Sequence, residues 1–202
     1  MIATTTDRVL TQAFGPSEGI GLRTKQVLLV IAGVAAMAIA AKIRVPMWPV
    51  PITMQTFVLL TVGAAYGMRL GGATMLAYLA VGAFGFDVFT SSSAENNGLA
   101  YMVGATGGYL VAYPIAAAVV GRLAERGWDR NVISMAGALL IGNVIVYGLG
   151  VPWLAWLFAA EKGMAWVLQW GMTYFLFGDA LKLCLAALFV PGLWHLVGAA
   201  RR

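Results

Sequence analysis

Apolar residues fill this chain in long runs, and short polar or turn-forming stretches separate them. The runs lie at about 24–42, 55–68, 71–84, 105–123, 132–150 and 171–194. A helix needs roughly 20 apolar residues to cross a bilayer, so each run is read as a membrane-spanning helix. The second and third are short for a crossing, which predicts tilted or incomplete spans whose ends are covered by neighbours. The stretch 152–160 is also apolar but follows a Gly-Val-Pro break, so it either extends the fifth span or lies along the interface. Trp153, Trp156, Trp166 and Trp170 are the aromatic-belt residues expected there. No internal repeat supports an inverted-repeat fold.

The predicted fold is an all-α integral membrane protein: a six-helix transmembrane bundle over 24–202, behind a polar, loosely packed cytoplasmic tail over 1–23. The first apolar run superficially resembles a signal peptide. The long polar stretch before it and the spans after it predict a retained helix instead.

Composition supports this reading. Of the 202 residues, 61% are hydrophobic and 10% charged, whereas soluble domains carry about 25% charged residues. The net charge of +5 raises a nucleic-acid partner, but the cations stand singly at the ends of apolar runs. That is a topology signal rather than a phosphate-binding stripe, and the surface it predicts as partner is the lipid bilayer. Arg8, Arg23, Lys25, Arg69, Arg122, Arg126, Arg130, Arg201 and Arg202 fall on one side of six spans, and Lys42, Arg44 and Lys162 on the other. The excess predicts that both termini are cytoplasmic.

The loops at 42–53, 85–104 and 152–170 are then external. Loop one carries Pro46, Pro49 and Pro51, which forbid helix and favour extended or turning backbone. Loop three, over 86–101, carries Ser91, Ser92, Ser93, Asn96, Asn97 and Gly98, the makeup of a mobile lid. Two ordinary surface loops would read the same way.

Asp179 and Lys182 stand one helical turn apart inside the last run. Charge at membrane depth is expensive and normally faces a bundle interior or cavity, so this pair is the first candidate for function. A structural ion pair is the alternative. Gly107 and Gly108 open the fourth span, where a ligand or a neighbouring helix could approach closely. Ala32, Ala36 and Ala40, widened by Gly33, form a smooth stripe on the first helix that suits close approach by a subunit or a neighbour. Gln55 and Asn143 are amides at membrane depth, and Tyr78, Tyr109 and Tyr147 offer polar tips on an apolar wall.

Other chemistry is missing. There is no G-x-x-x-x-G-K-[ST] phosphate loop, Cys184 is the single cysteine, and His195 is the single histidine, at the end of the last span. ATP use of the phosphate-loop kind, disulfides, multi-histidine metal sites and a serine–histidine hydrolase are thereby disfavoured, and no enzyme is predicted.

Three motifs in order resemble the signatures of the biotin transporter BioY family: Pro-Val-Pro-Ile-Thr-Met-Gln-Thr at 49–56, Gly-Ala-Thr-Gly-Gly-Tyr at 104–109 and Gly-Asp-Ala-Leu-Lys at 178–182. Members are substrate-binding S components of energy-coupling factor transporters. The resemblance covers about 25–191. It implies a six-helix bundle in a bacterial cell membrane with a biotin site near the external face, closed by loops one and three. It also implies a transmembrane coupling subunit and cytoplasmic ATPases as partners, with the Ala32/Ala36/Ala40 stripe as docking surface. Asp179 and Lys182 match the family's binding pair, and Thr53, Gln55, Gly107, Gly108 and Tyr109 lie in its other pocket motifs; Asn143 joins the candidate substrate site. Biotin is ligand rather than cofactor. Lys42 and Arg44 at the external mouth are expected to attract an anionic vitamin at short range. Loop three departs from the family, reading Gly85-Phe86-Asp87-Val88-Phe89 where members commonly read Gly-Leu-Pro-Val-Phe. Open alternatives are an S component for another vitamin, an intramembrane enzyme and a structural assembly subunit.

Overall fold

The computed structural model describes residues 9–13, 15–16, 18–93 and 96–200, so Arg8, Arg201 and Arg202 lie outside the described residues. Helix α1 spans Gly19–Lys42 and ends where Ile43 turns extended. A hairpin follows, pairing β1 (Arg44–Val45) antiparallel with β2 (Ile52–Thr53), Arg44 opposite Thr53. Its turn holds the three prolines and a cis Trp48–Pro49 bond. Loop one is thus a short hairpin rather than a helix.

The second and third runs form α2, Gln55–Ala83, which breaks at Gly67 (φ 81°, ψ 176°). A Cβ on Gly71 would lie 3.1 Å from the Gly63 Cα, so the chain doubles back at this break and the two halves touch backbone to backbone. Gly67 supplies the positive φ that other residues adopt only with strain. Each half is about 18–24 Å long at 1.5 Å per residue, under the ~30 Å of hydrocarbon, as the short runs imply.

After loop three come α3 (Gly98–Met102), α4 (Gly107–Glu125), α5 (Val132–Lys162), α6 (Met164–Leu168), a π-helical turn (Gln169–Thr173) and α7 (Tyr174–Ala200). Among the described residues, four helical stretches are long and apolar enough to cross a membrane: Gly19–Lys42, Gly107–Glu125, Val132–Lys162 and Met164–Leu196. Of these, α4 buries the largest share of its apolar stretch and α1 the smallest. Thus α4 is the central post, packed between α2 and α5, and α1 leans on α2 from outside.

Several expectations shift. The stretch 152–160 continues α5 through Pro152 to Lys162. Trp153 turns inward, its Nε1 donating to the Gly104 carbonyl at 2.9 Å, whereas Trp156 stays exposed. Part of the tail is packed, since Val9 and Leu10 are buried and Thr11 Oγ1 donates to the Ala65 carbonyl at 3.0 Å beside the Gly67 turn, whereas Gly15, Pro16 and Glu18 are exposed. In the α1 stripe, Ala40 is buried, Ala36 half-buried and Ala32 exposed. Contact with α2 is made through Gly33 instead, where a Cβ would meet Thr74 Cγ2 at 2.5 Å.

Candidate ligand-binding site

One cavity gathers side chains from the hairpin, the start of α2, loop three, α4, α5 and α7. Its polar centre is the Asp179–Lys182 pair, with both side chains buried. Asp179 Oδ1 accepts from Lys182 Nζ at 2.8 Å and from Thr56 Oγ1 at 3.1 Å, and its Oδ2 accepts from the Tyr147 hydroxyl. Lys182 Nζ also donates to Thr56 Oγ1 at 3.2 Å. A carboxylate offers about four lone-pair sites and an ammonium three N–H groups, so each partner keeps capacity beyond these contacts. A pair in such a setting is satisfied yet not saturated.

The rest of the wall is aromatic. Tyr109 presents its ring while its hydroxyl donates to the Gly171 carbonyl at 2.6 Å. That carbonyl belongs to the π-helical turn before α7. A π turn loosens the i to i−4 ladder, so a carbonyl in it can take an outside donor. Tyr113 follows Tyr109 by four residues and lines the same cavity. Sequence reading missed Tyr113, Thr56, Thr90, Tyr101 and Phe175. The signal for Tyr113 was the i,i+4 face shared with Tyr109, and Thr56 closes the first motif.

Two loops close the external end. Phe89 of loop three is buried, stacked on Tyr101 (5.0 Å, 13°) and edge-on to Tyr78 (5.5 Å, 86°). Its ring occupies the space a side chain at Gly82 would need, since a Cβ there would be 2.1 Å from Phe89 Cζ. Beside it, Gln55 Nε2 donates to the Tyr78 hydroxyl and Gln55 Oε1 accepts from Thr90 Oγ1, both at 2.7 Å. Tyr78 in turn donates to the Val88 carbonyl at 2.9 Å. Gln55 thus ties loop three to α2. Thr53 Oγ1 accepts from the Gln55 backbone N–H at 3.2 Å, just before α2 begins.

Loop three is thus anchored by the buried Phe89 ring and by polar contacts on either side of it. Lys42 and Arg44, expected to draw in an anion, hold it from the hairpin side. Lys42 Nζ donates to Asp87 Oδ1 at 2.7 Å and the Phe89 carbonyl at 2.9 Å. Arg44 donates to the Thr90 carbonyl and to Ser91 Oγ, the latter at 2.7 Å. Ser92 Oγ donates to Asp87 as well. With these contacts made the cavity measures about 50 Å³, far below the ~300 Å³ at the low end for ligand pockets. Admitting a ligand of that size therefore requires these loops to move.

Lys42, then Ser92, holds the Asp87 carboxyl below the usual carboxylate range by hydrogen bonding. A carboxyl with a lowered pKa in the latched state strengthens the latch above its free pKa and loses that contribution as pH falls through the latched one. The pair is exposed, 41% and 67%, so its effect is small and screened by salt. Asp87→Asn should speed ligand release only a few-fold at low salt, and the difference should vanish at high salt; stopped-flow dissociation checks this.

The remaining candidates sit elsewhere. A Cβ on Gly107 would meet the Met102 carbonyl at 2.2 Å, and one on Gly108 would meet Trp153 Cβ at 2.3 Å. The paired glycines admit helix α5 to α4, and neither lines the cavity. Asn143 lies behind the Asp179–Lys182 pair, away from the main cavity. A larger, mainly apolar groove of about 730 Å³ runs between α5 and α7, and Asn143, Tyr147 and Asp179 are its polar lining residues.

A profile of the BioY family matches residues 11–199. The chain belongs to the BioY family. This BioY chain is similar to the probable biotin transporter BioY of Pyrococcus horikoshii, 34% identical over 172 residues, which are 85% of this chain and 98% of that one. It is 32% identical over 162 residues to the biotin transporter BioY of Thermotoga maritima, covering 79% of this chain and 91% of that one. Its fold resembles the crystal structure of the S-component for biotin from an ECF-type ABC transporter, with TM-score 0.71 and 24% identity over 89% of this chain and 95% of that chain. Membership of this transporter family together with several apolar helices makes the BioY chain a multi-pass membrane protein.

Proposed function

We propose that this chain is the biotin-binding S component of an energy-coupling factor transporter. The observation that carries the proposal is the buried Asp179–Lys182 pair, unsaturated and facing an aromatic cavity under two latched loops. Similarity to the biotin transporters of Pyrococcus horikoshii and Thermotoga maritima supports biotin as the ligand. Biotin offers ureido N–H donors, an apolar thioether ring and chain, and a carboxylate. Asp179, paired with Lys182, suits the ureido donors, and the tyrosine rings suit the bicycle. Calorimetry on the purified chain with biotin and a panel of other vitamins tests this. Saturable binding of biotin alone is expected; binding of another vitamin in its place, turnover of biotin, or no small-molecule binding would each replace the reading.

The two halves of α2 complete six transmembrane segments in this proposal, since each is capped at the Gly67 turn and covered by α4. Both termini then face the cytoplasm, as the distribution of Lys and Arg supports. In a Cys184→Ser background, Ser92→Cys should label from outside intact cells and Arg126→Cys should not. The reverse pattern would overturn the segment count.

The partners are a transmembrane coupling subunit and cytoplasmic ATPases, which supply the phosphate-loop chemistry that this chain's sequence does not contain. The open end of the α1 stripe suits docking. Ala32 is exposed, so Ala32→Leu meets no intramolecular obstacle. It should weaken assembly and uptake while the isolated chain binds biotin as before. Lost binding with intact assembly would assign the stripe to internal packing instead.

A further inference from the structure

Behind the Asp179–Lys182 pair, between α2, α5 and α7, lies a second and much smaller cavity of about 10 Å³. Its walls include Thr56, Leu60, Asn143, Asp179, Lys182 and Ala186. A cavity of roughly 10–15 Å³ measured this way holds about one water molecule, provided two to four polar groups line it. The walls supply those groups. Asn143 Oδ1 is buried and accepts from no protein donor, which is costly for an amide carbonyl. Lys182 Nζ spends two N–H groups on Asp179 and Thr56, and the third meets no acceptor among the described residues.

We propose that one ordered water fills this cavity and that Asn143 positions Lys182 through it. The water accepts the third Lys182 N–H and donates to Asn143 Oδ1. Its second hydrogen suits Thr56 Oγ1, which accepts from Lys182 and holds one more lone pair. An apolar occupant would leave the amide and the ammonium unpaired, and a metal cation would meet the Lys182 charge. Water satisfies every group at once.

The consequence reaches the main site. Held between Asp179, Thr56 and the water, Lys182 keeps one orientation beside Asp179, and Asn143 is a positioning residue that acts on the binding pair through it. This role in binding rests on the function proposed above, whereas the water does not.

The test is a ligand-free crystal structure of the full chain at a resolution where ordered water is visible, joined to calorimetry with biotin. One density peak within hydrogen-bond reach of both Asn143 Oδ1 and Lys182 Nζ is expected; its absence overturns the proposal. Asn143→Leu keeps the side-chain size, removes the acceptor and should weaken biotin binding about tenfold, the cost of a hydrogen bond to a charged group. Asn143→Ser restores an acceptor and room for the water, and should recover most of the loss. Unchanged affinity in the leucine variant would overturn the positioning role, because the water would then only fill space. Should the wild-type chain fail to bind biotin, the functional reading falls and the density still decides the water.

Discussion

Asp179→Asn is expected to weaken biotin binding at least about tenfold while the chain still inserts and stays monodisperse. The substitution keeps the shape and the hydrogen-bonding reach of the side chain but removes its charge. A hydrogen bond to a charged group contributes about 1.5–3 kcal/mol, roughly ten- to a hundredfold in affinity. Asp179 also accepts from Lys182, Thr56 and Tyr147, so its loss leaves a buried ammonium without its counter-ion, which adds to the effect. Lys182→Met should weaken binding for the complementary reason, by stranding the carboxylate. A purely structural ion pair would behave in the opposite order, with detergent stability failing before affinity. The double substitution Asp179→Asn with Lys182→Met separates the two. Recovered stability with binding still lost supports the site, and recovered binding would reduce the pair to packing.

Phe89→Ala should release biotin roughly a hundredfold faster. The ring is buried between Tyr78 and Tyr101 in the niche left by Gly82, and it is the main apolar hold on loop three. Truncating a buried phenylalanine costs about 3–5 kcal/mol, and even the lower figure corresponds to more than a hundredfold in an equilibrium. The helices do not depend on this ring, so circular dichroism and size-exclusion behaviour should stay as in the wild type. Gly82→Val approaches the same contact from the other side, filling the niche and expelling the ring. If either variant released biotin within about threefold of the wild-type rate, loop three would not be the barrier to exit.

The contrast between Phe89 and the Lys42–Asp87 pair follows from exposure. Both hold loop three, but the ring is removed from water and the ion pair is not. Burial of an aromatic ring gains free energy that salt does not screen, whereas an exposed ion pair contributes at most about 1 kcal/mol. Loop three read as a mobile polar stretch because serines and asparagines outnumber the few buried residues that anchor it, Phe89 foremost among them.

The helical membrane class, the main helices to within a few residues at most ends, and the Asp179–Lys182 pair are all legible in the order of residues alone. Those features are local or compositional: apolar run length answers to bilayer thickness, and an i,i+3 pair shares a helix face in any context. The tertiary structure decided the rest. Gly67 reversing α2, Gly107 and Gly108 admitting Trp153, and Lys42 and Arg44 clasping loop three all depend on which segments meet across many intervening residues. A glycine at a close approach and a cation at a cavity mouth carry no mark of their partners in one dimension. Asn143 behind the pair, rather than in the main cavity, is the same case: its depth was legible from the apolar run around it, but the side it faces was fixed only when α5 packed against α7.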